Sequence, residues 1–86
     1  MTDSLKILFF ARLRDDLGTS EESLPLPDGV TTVDDLRRYF AQRGDAWQAA
    51  MDMQGLFIAV GQKVVDWDTT LSGTEEVAFF PPVTGG

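Results

Sequence analysis

The two longest apolar strand signals in this chain lie near its two ends, and a fold has to be built around them. Residues 4–10, Ser-Leu-Lys-Ile-Leu-Phe-Phe, read as one strand, with Leu5, Ile7 and Phe9 on one face and Lys6, Leu8 and Phe10 on the other. Residues 75–80 read as the second, with Val77 and Phe79 opposed to Ala78 and Phe80. A strand partly apolar on both faces belongs at the centre of a sheet, or presents its second face to a partner. At 86 residues the chain is one domain, near the lower limit of what folds without staples. It has no cysteine, so there is no disulfide framework, which fits a reducing cytosol.

Between the two strands the signals are mainly local. Ala11 to Leu17 fits a short helix that Gly18 stops. Residues 21–26 fit a weak strand, and Pro25 and Pro27 put it at a sheet edge, because proline cannot donate a ladder bond. Thr32 to Arg43 is the main helix. Thr32 is its N-cap, Asp34 and Asp35 lie in the first turn, and Val33, Leu36 and Phe40 form the core stripe. Arg37, Arg38 and Arg43 fall in its C-terminal half, as a solvated face matched to the helix dipole, and Gly44 suits the C′ position. Asp45 is placed as the cap of a further short helix through Met51, in which Trp47, Ala50 and Met51 pack inward, although Trp47 could also serve as a binding platform. Residues 56–60 form a strand, Gly61-Gln62 fits a two-residue hairpin of the Gly-X type, and Lys63-Val64-Val65 returns. Residues 66–74 are a turn-rich connection, and all six internal glycines fall at element boundaries.

This order implies an α+β fold, a mixed sheet with helices on one face. It is the order of the β-grasp, or ubiquitin-like, fold, in which the first and last strands lie side by side at the sheet centre. If Ile7, Phe9, Val77 and Phe79 meet the helices, then Leu8, Phe10, Ala78 and Phe80 lie on the other face, with Val64 near the hairpin tip extending it. That makes an apolar patch of a kind monomers limit, with Phe10 and Phe80 as candidate interface anchors. The alternative is that the short helix or residues 66–74 cover it.

Composition removes several function classes. Without His or Cys the chain lacks the usual general base, the thiolate nucleophile and the common zinc ligands. It has neither phosphate-cradling glycine motif. The net charge of -7 argues against nucleic acid and suits a partner with a basic surface, or simply solubility. No secretory leader and no run of ~20 apolar residues is present, so a cytoplasmic chain without a membrane partner is expected. The expected molecule is not catalytic alone and binds neither metal nor cofactor.

The remaining feature is the ending, Pro81-Pro82-Val83-Thr84-Gly85-Gly86. The reading divides the chain into a domain of residues 1–80 and an extended tail of residues 81–86. Two prolines fix φ and favour an extended path away from the domain. At ~3.3 to 3.6 Å per residue the tail reaches ~20 Å at most. Gly85 and Gly86 have no Cβ, which leaves the terminal carbonyl open to activation and nucleophilic attack.

The run Val-Ala-Phe-Phe-Pro-Pro-Val-Thr-Gly-Gly, Val77 to Gly86, resembles the ending of MoaD-type sulfur carriers, the small subunits of molybdopterin synthase. Lys6 to Arg14 is similar to that family's first strand and helix, and the element order agrees over essentially the whole chain. Gly61 departs from the Asn common there, a change the hairpin should survive because both residues tolerate φ > 0. The resemblance implies that an ubiquitin-activating-like adenylyltransferase uses ATP to adenylate the Gly86 carboxylate. A sulfur donor then makes the thiocarboxylate. The tail next inserts into the large catalytic subunit, in a heterotetramer of two small and two large subunits, and sulfur passes to cyclic pyranopterin monophosphate. Two transfers build the molybdopterin dithiolene. Rival readings are the thiazole-forming sulfur carrier of thiamine synthesis, a ubiquitin-like protein modifier, and a plain binding module with an inert tail.

Overall fold

In a computed structural model, which describes residues 4–82, the two end strands are neighbours. The elements are β1 (Leu5–Phe9), α1 (Arg12–Leu17), β2 (Glu21–Leu24), α2 (Val33–Ala41), α3 (Asp45–Met51), β3 (Phe57–Val60), β4 (Lys63–Val65) and β5 (Glu76–Phe80). The sheet order is β2-β1-β5-β3-β4, so β1 and β5 occupy interior positions and β2 is an edge, as its flanking prolines require. Only the β1–β5 pairing is parallel, with Ile7 opposite Val77 and Phe9 opposite Phe79; the other three are antiparallel.

The expected core face holds. Leu5, Ile7, Ile58, Val77 and Phe79 are fully buried and Phe9 nearly so, beneath Val33, Leu36, Phe40, Ala50, Met51 and Leu13 of the three helices. Aromatic rings interlock at the centre: Phe40 meets Phe9 and Phe79 edge-on at 5.8 and 6.0 Å, while Phe9 and Phe79 stack at 5.9 Å. Trp47 is only half-buried, stacked on Phe40 at 5.5 Å at the margin of the core.

The start of α2 explains where residues 66–74 go. The Thr32 hydroxyl accepts from the Asp35 N–H, and the Asp35 carboxylate accepts from the Thr32 and Thr31 N–H groups, a reciprocal capping box. Those bonds hold the Asp35 carboxyl below its ordinary range. The Val33 and Asp34 N–H groups donate to the carbonyls of Thr69 and Trp67, at 2.9 and 2.8 Å. The connection therefore satisfies helix-end donors on the helical side of the sheet and is unavailable to cover the other face.

Three local expectations need correction. The hairpin has φ of 59° at Gly61 and 70° at Gln62, and both positive values make it type I′ rather than the Gly-X class. Helix α2 ends at Ala41 rather than Arg43, because Gln42 and Arg43 donate to carbonyls three residues back and tighten the last turn. Gly44 is consequently the N-cap of α3, and Asp45 is that helix's first residue rather than its cap. The three arginines are also more engaged than a solvated face implies. Arg37 and Arg38 both reach Asp34, and Arg43 forms a two-pronged pair with Glu22, at 2.7 and 2.5 Å, that ties the turn after α2 to β2. That pair raises the Arg43 pKa.

Candidate functional site

The face opposite the helices is built by strand alternation. Pairing aligns Leu8 with Ala78, Ala78 with Ala59, and Ala59 with Val64, a row crossing β1, β5, β3 and β4. Beside this row, toward the C-terminal end of β5, stand three aromatic rings. Phe10 lies flat on Phe80 at 4.6 Å with planes 2° apart, and Phe57 stacks on Phe80 at 5.0 Å and 9°. The two alanines make a low floor bounded by Leu8, Val64 and the rings. Phe10 is 40% exposed and Val64 69%, the two large apolar residues most open to water among those described.

The structure thus brings Leu8, Phe10, Val64 and Phe80 onto one surface. Sequence reading missed Phe57 and Ala59, which line it equally. The signal was present: with Ile58 facing the core, its neighbours in β3 must face the other way. Recognising Phe57 as a third ring also required the β3–β5 register, which places it opposite Phe80. Glu76 and Gln62 border the patch.

The described part of the tail begins here. Phe10, Ala11, Arg12, Phe57, Phe80, Pro81 and Pro82 line one apolar groove beside the ring ladder. Pro81 is buried and Pro82 half-buried, so the two prolines still pack with the body rather than leaving it after Phe80. Pro82 rests against Gly55, where a Cβ would lie 3.0 Å from the proline Cβ. Val83, Thr84, Gly85 and Gly86, the other tail residues singled out by the sequence, lie outside the described residues.

Among the described residues, no group of His, Cys, Asp or Glu is arranged to hold a metal ion. No helix there is long and apolar enough to cross a membrane. The described chemistry is that of an apolar contact surface.

Residues 7–86 match the model of the ThiS family. The chain belongs to that family. It is 42% identical over 82 residues to the molybdopterin synthase sulfur carrier subunit of Escherichia coli strain K12, covering 95% of this chain and 99% of the relative. Among solved structures, a Pyrococcus furiosus chain described as a candidate subunit 1 of molybdopterin converting factor is similar with a TM-score of 0.75 and 30% identity, covering 95% of this chain and 100% of its own. The fold also matches a complex of subunits 1 and 2 of the molybdopterin-converting factor from Helicobacter pylori, with a TM-score of 0.64 at 18% identity and coverage of 96% and 99%. These neighbours have the ubiquitin-like β-grasp architecture expected from the element order.

Proposed function

We propose that this chain is the sulfur carrier subunit of a molybdopterin synthase, docking through its aromatic face and carrying sulfur on the carboxyl group of Gly86. The observation that carries the reading is the continuity of the Phe10–Phe80–Phe57 ladder with the groove holding Pro81 and Pro82. A partner seated on the rings meets the chain where its last residues begin. The near full-length similarity to a relative of that name supports the same reading.

The division of labour follows from the side chains. With no cysteine, sulfur cannot ride on a persulfide of this protein, and the open terminal carbonyl is the alternative. With no phosphate-cradling motif, ATP is bound and used by an adenylyltransferase partner of the ubiquitin-activating type. A Gly86 carboxylate oxygen attacks the α-phosphorus of ATP and releases pyrophosphate. Sulfur at the sulfide level then attacks the acyl carbon and expels AMP, leaving a thiocarboxylate. The charged tail enters a large catalytic subunit, which transfers the sulfur to cyclic pyranopterin monophosphate; two such transfers complete the dithiolene. The pairing of subunits 1 and 2 in the Helicobacter pylori complex supports a two-subunit enzyme, here a heterotetramer of two carriers and two large subunits. The chain itself holds no cofactor and works in the cytoplasm.

Intact mass spectrometry tests this. After incubation with an activating enzyme, ATP and a sulfur donor, the chain should gain about 16 Da at its sterically open Gly terminus, the difference between sulfur and oxygen. Absence of that species, or the same gain after removal of Gly86, would overturn the proposal.

A further inference from the structure

Gly55 lies in the turn between α3 and β3, where the Leu56 N–H donates to the Met53 carbonyl. Its φ of 85° is one that a side chain rarely tolerates. Such a φ alone would explain a glycine. Gly29 provides the comparison: its φ is 83°, and a Cβ added there would meet nothing within 4 Å. At Gly55 the same Cβ would lie 3.0 Å from Pro82 Cβ and 3.3 Å from its Cγ. Two glycines share one backbone requirement, and Gly55 carries a second, directed at the root of the tail.

We infer that Gly55 is a positioning residue for sulfur loading and transfer: its bare Cα seats the Pro82 ring and so fixes the point on the domain from which the chain continues. This rests on the carrier function proposed above. Pro81 and Pro82 each have a fixed φ, so a shift of either ring carries its own backbone with it. Pro81 is held by burial and Pro82 by contact with Gly55. An added methyl presses on the Pro82 ring, whose near atoms belong to a short, rigid ring rather than to the end of a flexible side chain, so the ring must give by a few tenths of an ångström. A displacement at the root moves the point from which the chain continues, and since positional errors near 1 Å cost up to about a hundredfold in rate, a few tenths of an ångström should cost about fivefold. The ring ladder, which does the docking, is left in place.

The test compares Gly55→Ala with Gly29→Ala, using the full chain as the varied substrate of its activating enzyme with ATP and a sulfur donor. Gly29→Ala, with strain alone, should keep kcat and KM within about twofold of wild type. Gly55→Ala should keep KM within about twofold and lose about fivefold in kcat. In a Pro82→Gly background, which removes the ring that clashes, the Gly55→Ala penalty should shrink to about twofold or less. Equal kcat losses in the two glycine variants, a rise in KM with kcat unchanged, or an undiminished penalty in the Pro82→Gly background would each overturn the inference. Should Gly55→Ala not fold, NMR of the wild-type chain decides: NOEs from the Gly55 Hα protons to the Pro82 ring are required, and their absence overturns the seat. Failure of the wild-type chain to acquire sulfur at all sinks the carrier function itself, whereas indistinguishable variants of an active carrier sink only the positioning role.

Discussion

The two faces of this sheet use the same amino acid for opposite ends. Phe9 and Phe10 are consecutive, as are Phe79 and Phe80, and alternation sends one of each pair to either side. On the helical side Phe9 and Phe79 are at most 2% exposed and are locked edge-on by Phe40. On the other side Phe10 and Phe57 each lie flat on Phe80, with Phe10 still 40% exposed. Edge-on packing in three dimensions specifies a core, while a flat ladder presents ring area outward. Position relative to the pleat, not residue type, separates the rings that hold the fold from those left on the open face.

The sharpest way to break this contrast is to truncate one ring from each face. Phe79→Ala should cost about 3–5 kcal/mol, since a fully buried ring leaves a cavity among rigid neighbours. In a domain this small that approaches the whole folding free energy. Phe80→Ala should cost about 2 kcal/mol, the scale of two stacked aromatic contacts at a half-buried site. Urea denaturation of both variants decides; similar losses would mean the open face is structural after all. Next in size is the converse experiment. Phe80→Arg should weaken binding to the activating enzyme and to the large subunit by about 2 kcal/mol or more each, the loss expected of an aromatic hot spot, with the far-UV circular dichroism unchanged. Undiminished affinity for both partners would remove the docking role from this face.

The face stays open because residues 66–74 are committed elsewhere, and Thr32 tests that commitment. Thr32→Ala deletes the hydroxyl that accepts from Asp35 and should cost about 1 kcal/mol in denaturant unfolding. Hydrogen exchange should quicken at the Val33 and Asp34 amides, which donate to the same connection, while the amides of β5 remain protected. Uniform quickening across the sheet would show that cap and connection are not a separate latch.

How much of this could be read from the chain depended on how local each signal was. The interior placement of β1 and β5, the edge position of β2, the Thr32 cap and the split of Phe9 from Phe10 all follow from spacing and from proline or capping chemistry within a few residues. Phe57 was legible by parity but not as part of a ladder, because its stacking on Phe80 depends on strands joined only through the fold. The Arg43–Glu22 pair links positions 21 apart in sequence, and no pattern announces it. The type I′ hairpin turns on Gln62 accepting φ of 70°, a strain that side-chain type disfavours and the paired strands impose. The seat of Pro82 on Gly55 was hidden for a related reason. A boundary glycine is explained by its turn, so a second role appears only when the neighbouring atoms are placed.

The last contrast concerns the start of β5, the strand that carries rings to both faces. Burial pushes the Glu75 carboxyl up, but the backbone N–H groups of Ser72 and Gly73, at 2.8 and 2.9 Å, together with the Ser72 hydroxyl, outweigh it and bring its pKa down to about 2. The Thr74 N–H donates to the same carboxylate at 3.1 Å. One ionised side chain thus gathers the turn that delivers the chain into β5. A carboxyl whose pKa falls on folding stabilises the folded state only while ionised. Its contribution is therefore complete above the ordinary value of 4.5, shrinks below it, and is lost as pH falls through about 2. Glu75→Gln keeps the shape and removes the charge, so its deficit against wild type in urea unfolding should be constant from pH 7 to about 5, narrow toward pH 3 and close near pH 2. A deficit that does not change with pH would show that shape rather than charge holds the turn. The effect should stay confined to stability: partner affinity at neutral pH should match wild type, because Glu75 lies outside the surface formed by Leu8, Phe10, Phe57, Val64 and Phe80. If affinity fell with Glu75→Gln while the fold persisted, the start of β5 would belong to the docking face, and the division between the two sides of the sheet would have to be redrawn there.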